Sequence, residues 1–567
     1  MKFLPISLQE GKKYYNNFKQ FDVIFITGDP YYDHPLSGIA ILSRLLDSKG
    51  FKVGIIAQPI KDEDYQVCGT PKYFFCITSG FLDSMLANYT PMLKKRENVL
   101  VPERALMVYT QKIKSFFKKT TTILGGLEAT IRRFTHFDYR TNALRHNIID
   151  DTKADILIFG NAERALLNIL NELKNMRIDP TKKVFEQIPK EKLNLIDGIA
   201  FRTQKPIEGL EIPSYEDCTK DKNNFNKLTR ITTLNPESAL IEKTDLSFIQ
   251  HNKSLNYLTE DEMNCLYEFP YEREFHPNSK NLNDLKSITQ KLKNSVVIGR
   301  GCFGSCNFCV IPLVQGKQMS SRTRKSILNE IKSIYEKDRI ISDLTLPTVN
   351  MYNCKCKLYN VENKLYSPIL EKEITIFTKT EKCNQNCIGC KFRIINNEFL
   401  YLLKDIEKIK KDNILELRSA IRHDIIQEQP HLLGEIMKYT TRLKIAPEHI
   451  SQNVLRAMNK SNPKAFISFL KEYSKYNKPL VPYFVAAHPG CTTQDMEELK
   501  EFCNKNNLTV NLTQIFTPTP GTVSTCMYYT EVNPLTNEKV YIPRTFREKK
   551  DQKNILFEDE NYNDYNA

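Results

Sequence analysis

The sequence predicts an α/β protein, with an N-terminal doubly wound parallel sheet followed by a partial (β/α)6 barrel. Three observations predict it. Short apolar runs alternate with helical periodicities from residue 21 onward, the pattern of strands joined by crossover helices. A second strand–helix series starts near residue 295. The chain has 567 residues, more than one hydrophobic core usually organises, so several domains are expected. The boundaries read as 1–175 for the sheet domain, 176–290 for a connector, 291–530 for the barrel with an insertion at about 350–392, and 531–567 for a partly disordered C-terminal extension.

The elements follow in order. Asp22–Thr27 is a β run, Gly38–Leu46 has helical spacing and stops near Gly50, and Val53–Ala57 is the next strand. The pattern returns at Tyr73–Thr78, at Thr121–Leu124 before Gly125-Gly126, and at Ile156–Phe159. A doubly wound sheet works at the carboxyl ends of its strands. There stand Gly28-Asp29-Pro30, Asp33-His34-Pro35, Gly125-Gly126-Leu127-Glu128 and Gly160-Asn161-Ala162-Glu163. The connector is more polar, with small strands such as Gly198–Phe201. The barrel strands are expected at Val296–Ile298, Ile340–Leu344, Leu415–Ala420, Leu443–Ala446, Val481–Ala487 and Val510–Phe516, and barrel chemistry sits on the loops after the strands.

Hydrophobic content of 41% and charged content of 26% suit a globular protein. No apolar run approaches the ~18 residues of a membrane span, and the first residues lack an apolar signal core. A cytoplasmic protein with no membrane partner is expected. Lys and Arg total 81 against 67 acids, a net charge of +14. That balance admits an RNA partner, but the excess is Lys-rich and spread along the chain, which fits compositional bias better than a binding stripe.

Seven of the 15 cysteines are scattered, and the other eight fall between 302 and 390. In a reducing compartment such clustering points to metal ligation. Cys302, Cys306 and Cys309 have C-x3-C-x2-C spacing, directly after the apolar Val296-Val297-Ile298 and flanked by Gly301 and Gly304. Three thiolates this close can hold three irons of a cubane and leave the fourth open. A structural zinc or an ordinary ferredoxin cluster takes four protein ligands, and residues 310–349 contain no Cys or His. Cys383, Cys387 and Cys390 repeat the same spacing after the strand-like Ile374–Phe377. The first triplet is preferred for the open cluster because Phe308 precedes its last cysteine and enough chain follows for a whole barrel. Cys354, Cys356, Cys383, Cys387 and Cys390 form a candidate second metal site, for zinc or an auxiliary iron–sulfur cluster.

Several longer motifs accompany the cysteines. They include Thr27–Pro35, Gly125–Phe134, Ala154–Gly160, Pro347–Tyr352, Ile445–Ser451, His488–Thr492 and Phe516–Thr522. With these the chain resembles the YgiQ-type family of radical S-adenosylmethionine (radical SAM) proteins over most of residues 20–555. The resemblance implies a [4Fe–4S] cluster on Cys302, Cys306 and Cys309, with S-adenosylmethionine on the open iron. It implies an enzyme that cleaves this cofactor to a 5′-deoxyadenosyl radical, with a flavodoxin- or ferredoxin-like electron donor and an unidentified substrate. Phe308, Ser342, Asp343, Arg422, Glu448 and His488 become candidate cofactor contacts, the last three by their place after barrel strands. The family pattern resembles Ser-Asp-x-Gly-Gly-Pro after the second barrel strand, whereas this chain reads Ser342-Asp343-Leu344-Thr345-Leu346-Pro347. Two side chains therefore stand where glycines let a backbone approach the cofactor.

The N-terminal sheet resembles cobalamin-binding domains. Their cobalt ligand comes from Asp-x-His-x-x-Gly, but here Asp33 and His34 are adjacent and three residues precede Gly38. Cobalamin is therefore not expected. The competing reading is a non-catalytic iron–sulfur or zinc protein that binds RNA, suggested by the charge and the second cysteine group.

Overall fold

The computed structural model describes residues 3–255, 257–279, 291–335, 340–379, 383, 387–409, 414–510 and 512–557. Its N-terminal half is built on one nine-stranded sheet. Five strands are parallel, in the order Val53–Ala57, Val23–Thr27, Phe74–Thr78, Thr121–Leu124 and Ile156–Ile158. Each is buried on both faces, as a sheet covered by helices on two sides requires. The helices Gly38–Ser48 and Glu163–Lys174 pack on one face and Ala105–Phe116 on the other. Residues 176–290, expected as a connector, supply the rest of that sheet. Ile199–Thr203 adds antiparallel to Ile156–Ile158, then Phe248–His251 and Leu240–Lys243 follow antiparallel, and Leu210–Ile212 closes the edge in parallel. Residues 280–290 of that stretch lie outside the described residues.

The second half is a parallel series. Ser295–Val297 pairs with Asp343–Thr345, Ile341 bridges Leu415, Ile421 bridges Ile445, and Leu443–Glu448, Leu480–Ala486 and Leu512–Ile515 follow side by side. The segment expected as a continuous strand at Leu415–Ala420 is reduced to the bridges at Leu415 and Ile421. The Asp343 carboxylate accepts the N–H groups of Arg418 and Ser419 at 2.9 and 3.0 Å, which removes two donors from the ladder. The insertion carries a long hairpin, Tyr359–Ser367 with Lys372–Lys379. The strand Lys372–Lys379 docks on Tyr257, whose hydroxyl bonds both the carbonyl and the N–H of Phe377.

Of the segment 531–567, residues Phe546–Asn554 form a helix. Gln552 bonds Ala487 N and Cys491 O at 3.0 Å each, tying that helix to the barrel. Residues 558–567 lie outside the described residues. Among the described residues no helix is long and apolar enough to cross a membrane.

Candidate metal centre and active site

The loop after Ser295–Val297 is fixed before any ligand is considered. Gly301 has φ +94, and a Cβ there would lie 2.5 Å from Gln318 O, so only glycine fits. At Gly304 a Cβ would collide with Arg422 Nη1 and reach within 3.2 Å of Cys302 Sγ. The loop backbone is then clamped from three directions. Cys302 N donates to Gly316 O at 3.1 Å. Asn307 N and Nδ2 donate to Met458 O and Ala457 O at 2.9 and 2.8 Å, while Asn459 Nδ2 donates to Ser305 O at 2.8 Å. Ser524 N donates to Asn307 O at 2.9 Å. A loop held this way presents its thiols with little freedom left to lose on ligand binding.

Backbone N–H groups and a buried arginine surround the three thiols. Gly304 N donates to Cys302 Sγ at 3.3 Å, and the Ile311 N–H serves Cys309 in the same manner. Such donors stabilise a thiolate. Arg422 is buried, with Nη1 3.9 Å from Cys306 Sγ. Its Nε bonds Asp424 Oδ1 at 2.8 Å, and Asp424 is held well below the usual carboxylate range by that guanidinium against the cost of burial. Burial raises the Cys302 thiol and Arg422 pulls it back; burial pushes Cys309 up to about 12. Without a metal the Cys302 and Cys309 sulfurs are therefore poor anions, and a bound cation supplies what solvent cannot.

Glu448 ends its strand at φ +67, next to a shift in register. It is 5% exposed, and burial raises its carboxyl. Lys460 Nζ lies 3.7 Å from Oε1, while Oε2 is buried without a hydrogen-bond partner. A buried carboxylate oxygen left in this state is a place for a cationic or N–H group of a ligand. Phe308 meets the His488 ring edge-on at 6.0 Å. Both His488 nitrogens are engaged, Nδ1 with Pro489 O at 2.8 Å and Nε2 with Ser524 Oγ at 2.7 Å, so this histidine reaches the site through Phe308.

Ser342 and Asp343 are not brought to the thiols. Asp343 pairs with Ser295 and Thr345 with Val297, and the cysteine loop follows Val297. The two residues thus lie at the opposite end of the parallel pair, about 7 Å back at 3.3 Å per residue. Asp343 is committed to Arg418 and Ser419; Ser342 Oγ is buried without a partner. Leu346, one of the two residues at glycine positions, is 4% exposed and joins the barrel core against Gly299. His423 packs on Phe466 and Phe469, and His449 lies beside Met496 and Cys491.

The sheet domain faces this loop. Arg300 binds Glu163, Asn161 and the Tyr267 hydroxyl, linking the two halves. A cavity at the carboxyl ends of the parallel strands is lined by Thr27, Asp29, Thr78, Gly125, Val314 and Gln315, the last two from the helix that follows the cysteines. His34 lies apart from it. It is buried, with Nδ1 accepting Leu36 N and Nε2 against Lys293 O and Arg273. A separate cleft is lined by Cys306, Cys309, Arg133, Phe159, Lys317 and Gly521. Arg133 stacks on Phe134 and Phe159 at 4.6 and 4.4 Å. Burial lowers it to about 10, with no carboxylate offsetting that among the described residues.

Arg133, Lys317 and Lys460 stand beside the candidate site and were not singled out from the sequence. Arg133 sits inside the quoted Gly125–Phe134 motif, which was its available signal; the two lysines had none.

All five cysteines of the second group line one cavity, with Phe303 of the first loop. Among the described residues no three His, Cys, Asp or Glu converge closely enough to hold a single metal ion.

Residues 3–295 match the family model Radical SAM N-terminal, and residues 511–565 match a domain of unknown function, DUF3362. A UPF0313 protein of Methanocaldococcus jannaschii is 36% identical, covering 99% of this chain and 93% of that protein. A UPF0313 protein of Thermotoga neapolitana is 35% identical over 98% of both chains. Among solved structures, TsrM, a radical S-adenosylmethionine methyltransferase from Kitasatospora setae determined with cobalamin and a [4Fe–4S] cluster bound, superposes with a TM-score of 0.51. That match covers 90% of this chain and 76% of the other at 12% identity, a likeness of fold. The same enzyme with tryptophan and a SAM analog bound gives 0.50 at 11% identity. The chain belongs to the UPF0313, or YgiQ-type, family of radical SAM proteins.

Proposed function

We propose that this chain is a radical SAM enzyme whose [4Fe–4S] cluster is held by Cys302, Cys306 and Cys309, and whose substrate carries an anionic group. The observation that supports it most is the clamped loop, which aims three thiols beside the buried Arg422 at the carboxyl end of the first barrel strand.

When bound, the cluster and S-adenosylmethionine supply one-electron cleavage of the sulfonium and a primary carbon radical able to take a hydrogen atom. The residues do the rest. Gly304 N and the Ile311 N–H steady the sulfur charge, and Arg422 balances it from the side. The free Glu448 Oε2 suits the cofactor's methionyl ammonium group, with Lys460 sharing the other oxygen. His488 and Ser524 hold Phe308 as an apolar wall. Arg133 faces the cleft that contains Cys306 and Cys309, and a buried guanidinium without a carboxylate partner favours a carboxylate or phosphate there.

The test is anaerobic. After reconstitution and reduction with dithionite, the wild type is expected to release 5′-deoxyadenosine from S-adenosylmethionine, and Cys306→Ala is expected to release none. A wild type that carries a full cluster yet forms no 5′-deoxyadenosine contradicts the proposal.

A further inference from the structure

The second cysteine group divides on inspection. Cys354 stands aside: it is 2% exposed in the barrel core, with Sγ against Asn350 O at 3.9 Å. The other four thiols line one cavity. Lys355 and Cys356 pair antiparallel with Ile394 and Arg393, and Lys357 N donates to Phe392 O at 2.7 Å. That short ladder brings Cys356 to the turn containing Cys387 and Cys390, where Cys390 N donates to Cys387 O at 3.3 Å. Cys356 is within electrostatic reach of Cys390 and Cys383, and Cys387 of Cys383 and Cys356.

We infer that Cys356, Cys383, Cys387 and Cys390 hold a second [4Fe–4S] cluster with all four positions closed by protein. The hydrogen bonding repeats that of the first triplet. Phe392 N donates to Cys390 Sγ at 3.4 Å and the Leu358 N–H serves Cys356, each two residues beyond its cysteine, as Gly304 and Ile311 are. Donors to sulfur of this kind tune and steady cluster ligands. The cavity lining carries Lys317, Lys355, Lys379 and Arg393 and, among the described residues, no carboxylate; Lys379 and Arg393 pair with Glu237 and Glu428 outside it, which leaves a cationic lining that favours an anionic metal–thiolate group. The thiols line the cavity and, among the described residues, do not converge on a point. A cubane gives each thiolate its own iron and suits separated sulfurs, whereas one tetrahedral zinc needs all four sulfurs drawn to about 2.3 Å from a single ion. The site also adjoins the first: Phe303 lines its cavity and the Ser305 hydroxyl bonds Cys387.

The inference takes from the proposed function only the premise that this fold houses iron–sulfur chemistry, and its test reads a different set of thiols. The full chain is reconstituted anaerobically with iron and sulfide, and iron, sulfide and zinc are counted per chain. About eight irons are expected for the wild type, at about four per cluster. The variant Cys302→Ala/Cys306→Ala/Cys309→Ala is expected to keep about half, as is Cys356→Ala/Cys383→Ala/Cys387→Ala/Cys390→Ala. Cys354→Ala is expected to keep the full count. Unchanged iron in the quartet variant overturns the inference, and so does one zinc per chain that disappears with those four cysteines. If the quartet variant does not fold, the Cys302/Cys306/Cys309 variant decides: about four irons sustain the inference and none overturns it. Iron lost only with the quartet would sink the proposed function and leave the second cluster standing.

Discussion

The two C-x3-C-x2-C triplets share a spacing and differ in what surrounds them. The first is gripped by the barrel itself, through Gly316, Met458, Asn459 and Ser524, and is neutralised by one buried arginine whose own partner is Asp424. The second sits on an insertion, held by a two-residue ladder and faced by three lysines and an arginine rather than by one buried guanidinium. The first triplet has Arg422 and the free Glu448 oxygen where a ligand would complete the site. The second has another thiol, Cys356. Identical spacing therefore stands in different surroundings, and the difference lies in residues far away in sequence.

The largest effect separates the triplets by chemistry. Cys306→Ala is expected to reduce 5′-deoxyadenosine formation to background, and Cys387→Ala to leave a measurable fraction of it. The opposite ranking in a product assay would exchange the two roles.

Next come the counter-charges. Arg422→Met leaves Asp424 buried without its partner and is expected to cost about 3–5 kcal/mol. Lys379→Met removes a pair with the half-exposed Glu237 at 3.6 Å and is expected to cost less than about 1 kcal/mol. Urea denaturation of the reconstituted variants checks both; equal losses would mean that the two environments do not differ as described.

Glycine substitutions sharpen the contrast further. Gly304→Ala drives a methyl group into the Arg422–Cys302 contact and is expected to cost about 1–3 kcal/mol, with weakened iron retention. Gly389→Ala meets nothing within 4 Å among the described residues and carries the strain of φ +74, about 1 kcal/mol. Melting curves and iron release under a chelator would show the order.

The smallest difference between the triplets concerns a group that neither should change. Burial raises the Glu242 carboxyl to about 8, against hydrogen bonds from Thr135. Its folded pKa exceeds its unfolded one, so the folded state binds the extra proton between about pH 4.5 and 8, and stability falls as pH rises through that window. Glu242→Gln is expected to flatten this slope in the wild type and in both triplet variants. A slope unchanged by the substitution would remove Glu242 as its source.

Much of the frame was legible because buried parallel strands read as short apolar runs. Val23–Thr27, Phe74–Thr78 and Ser295–Val297 stand close to where alternation put them. The strands of 199–251 were not legible as part of the same sheet, since short antiparallel additions mix polar and apolar residues and leave their partner unspecified. At the candidate site, motif and strand-end position singled out the thiols, Phe308, Arg422 and Glu448, and the structure sets Arg422 beside Cys306. Ser342 and Asp343 precede the strand end that matters, a displacement of two residues that only register reveals. Arg133 and Lys317 reach the cleft from a different domain and a later turn, and no local pattern announces such convergence.

The account turns on one iron of the first cluster being free of protein sulfur. In the variant lacking Cys356, Cys383, Cys387 and Cys390, the reduced cluster can be read by electron–nuclear double resonance with S-adenosylmethionine labelled with nitrogen-15 at its amino group. A direct iron–nitrogen coupling is the predicted result. A fully assembled cluster that shows no such coupling at saturating cofactor would contradict it.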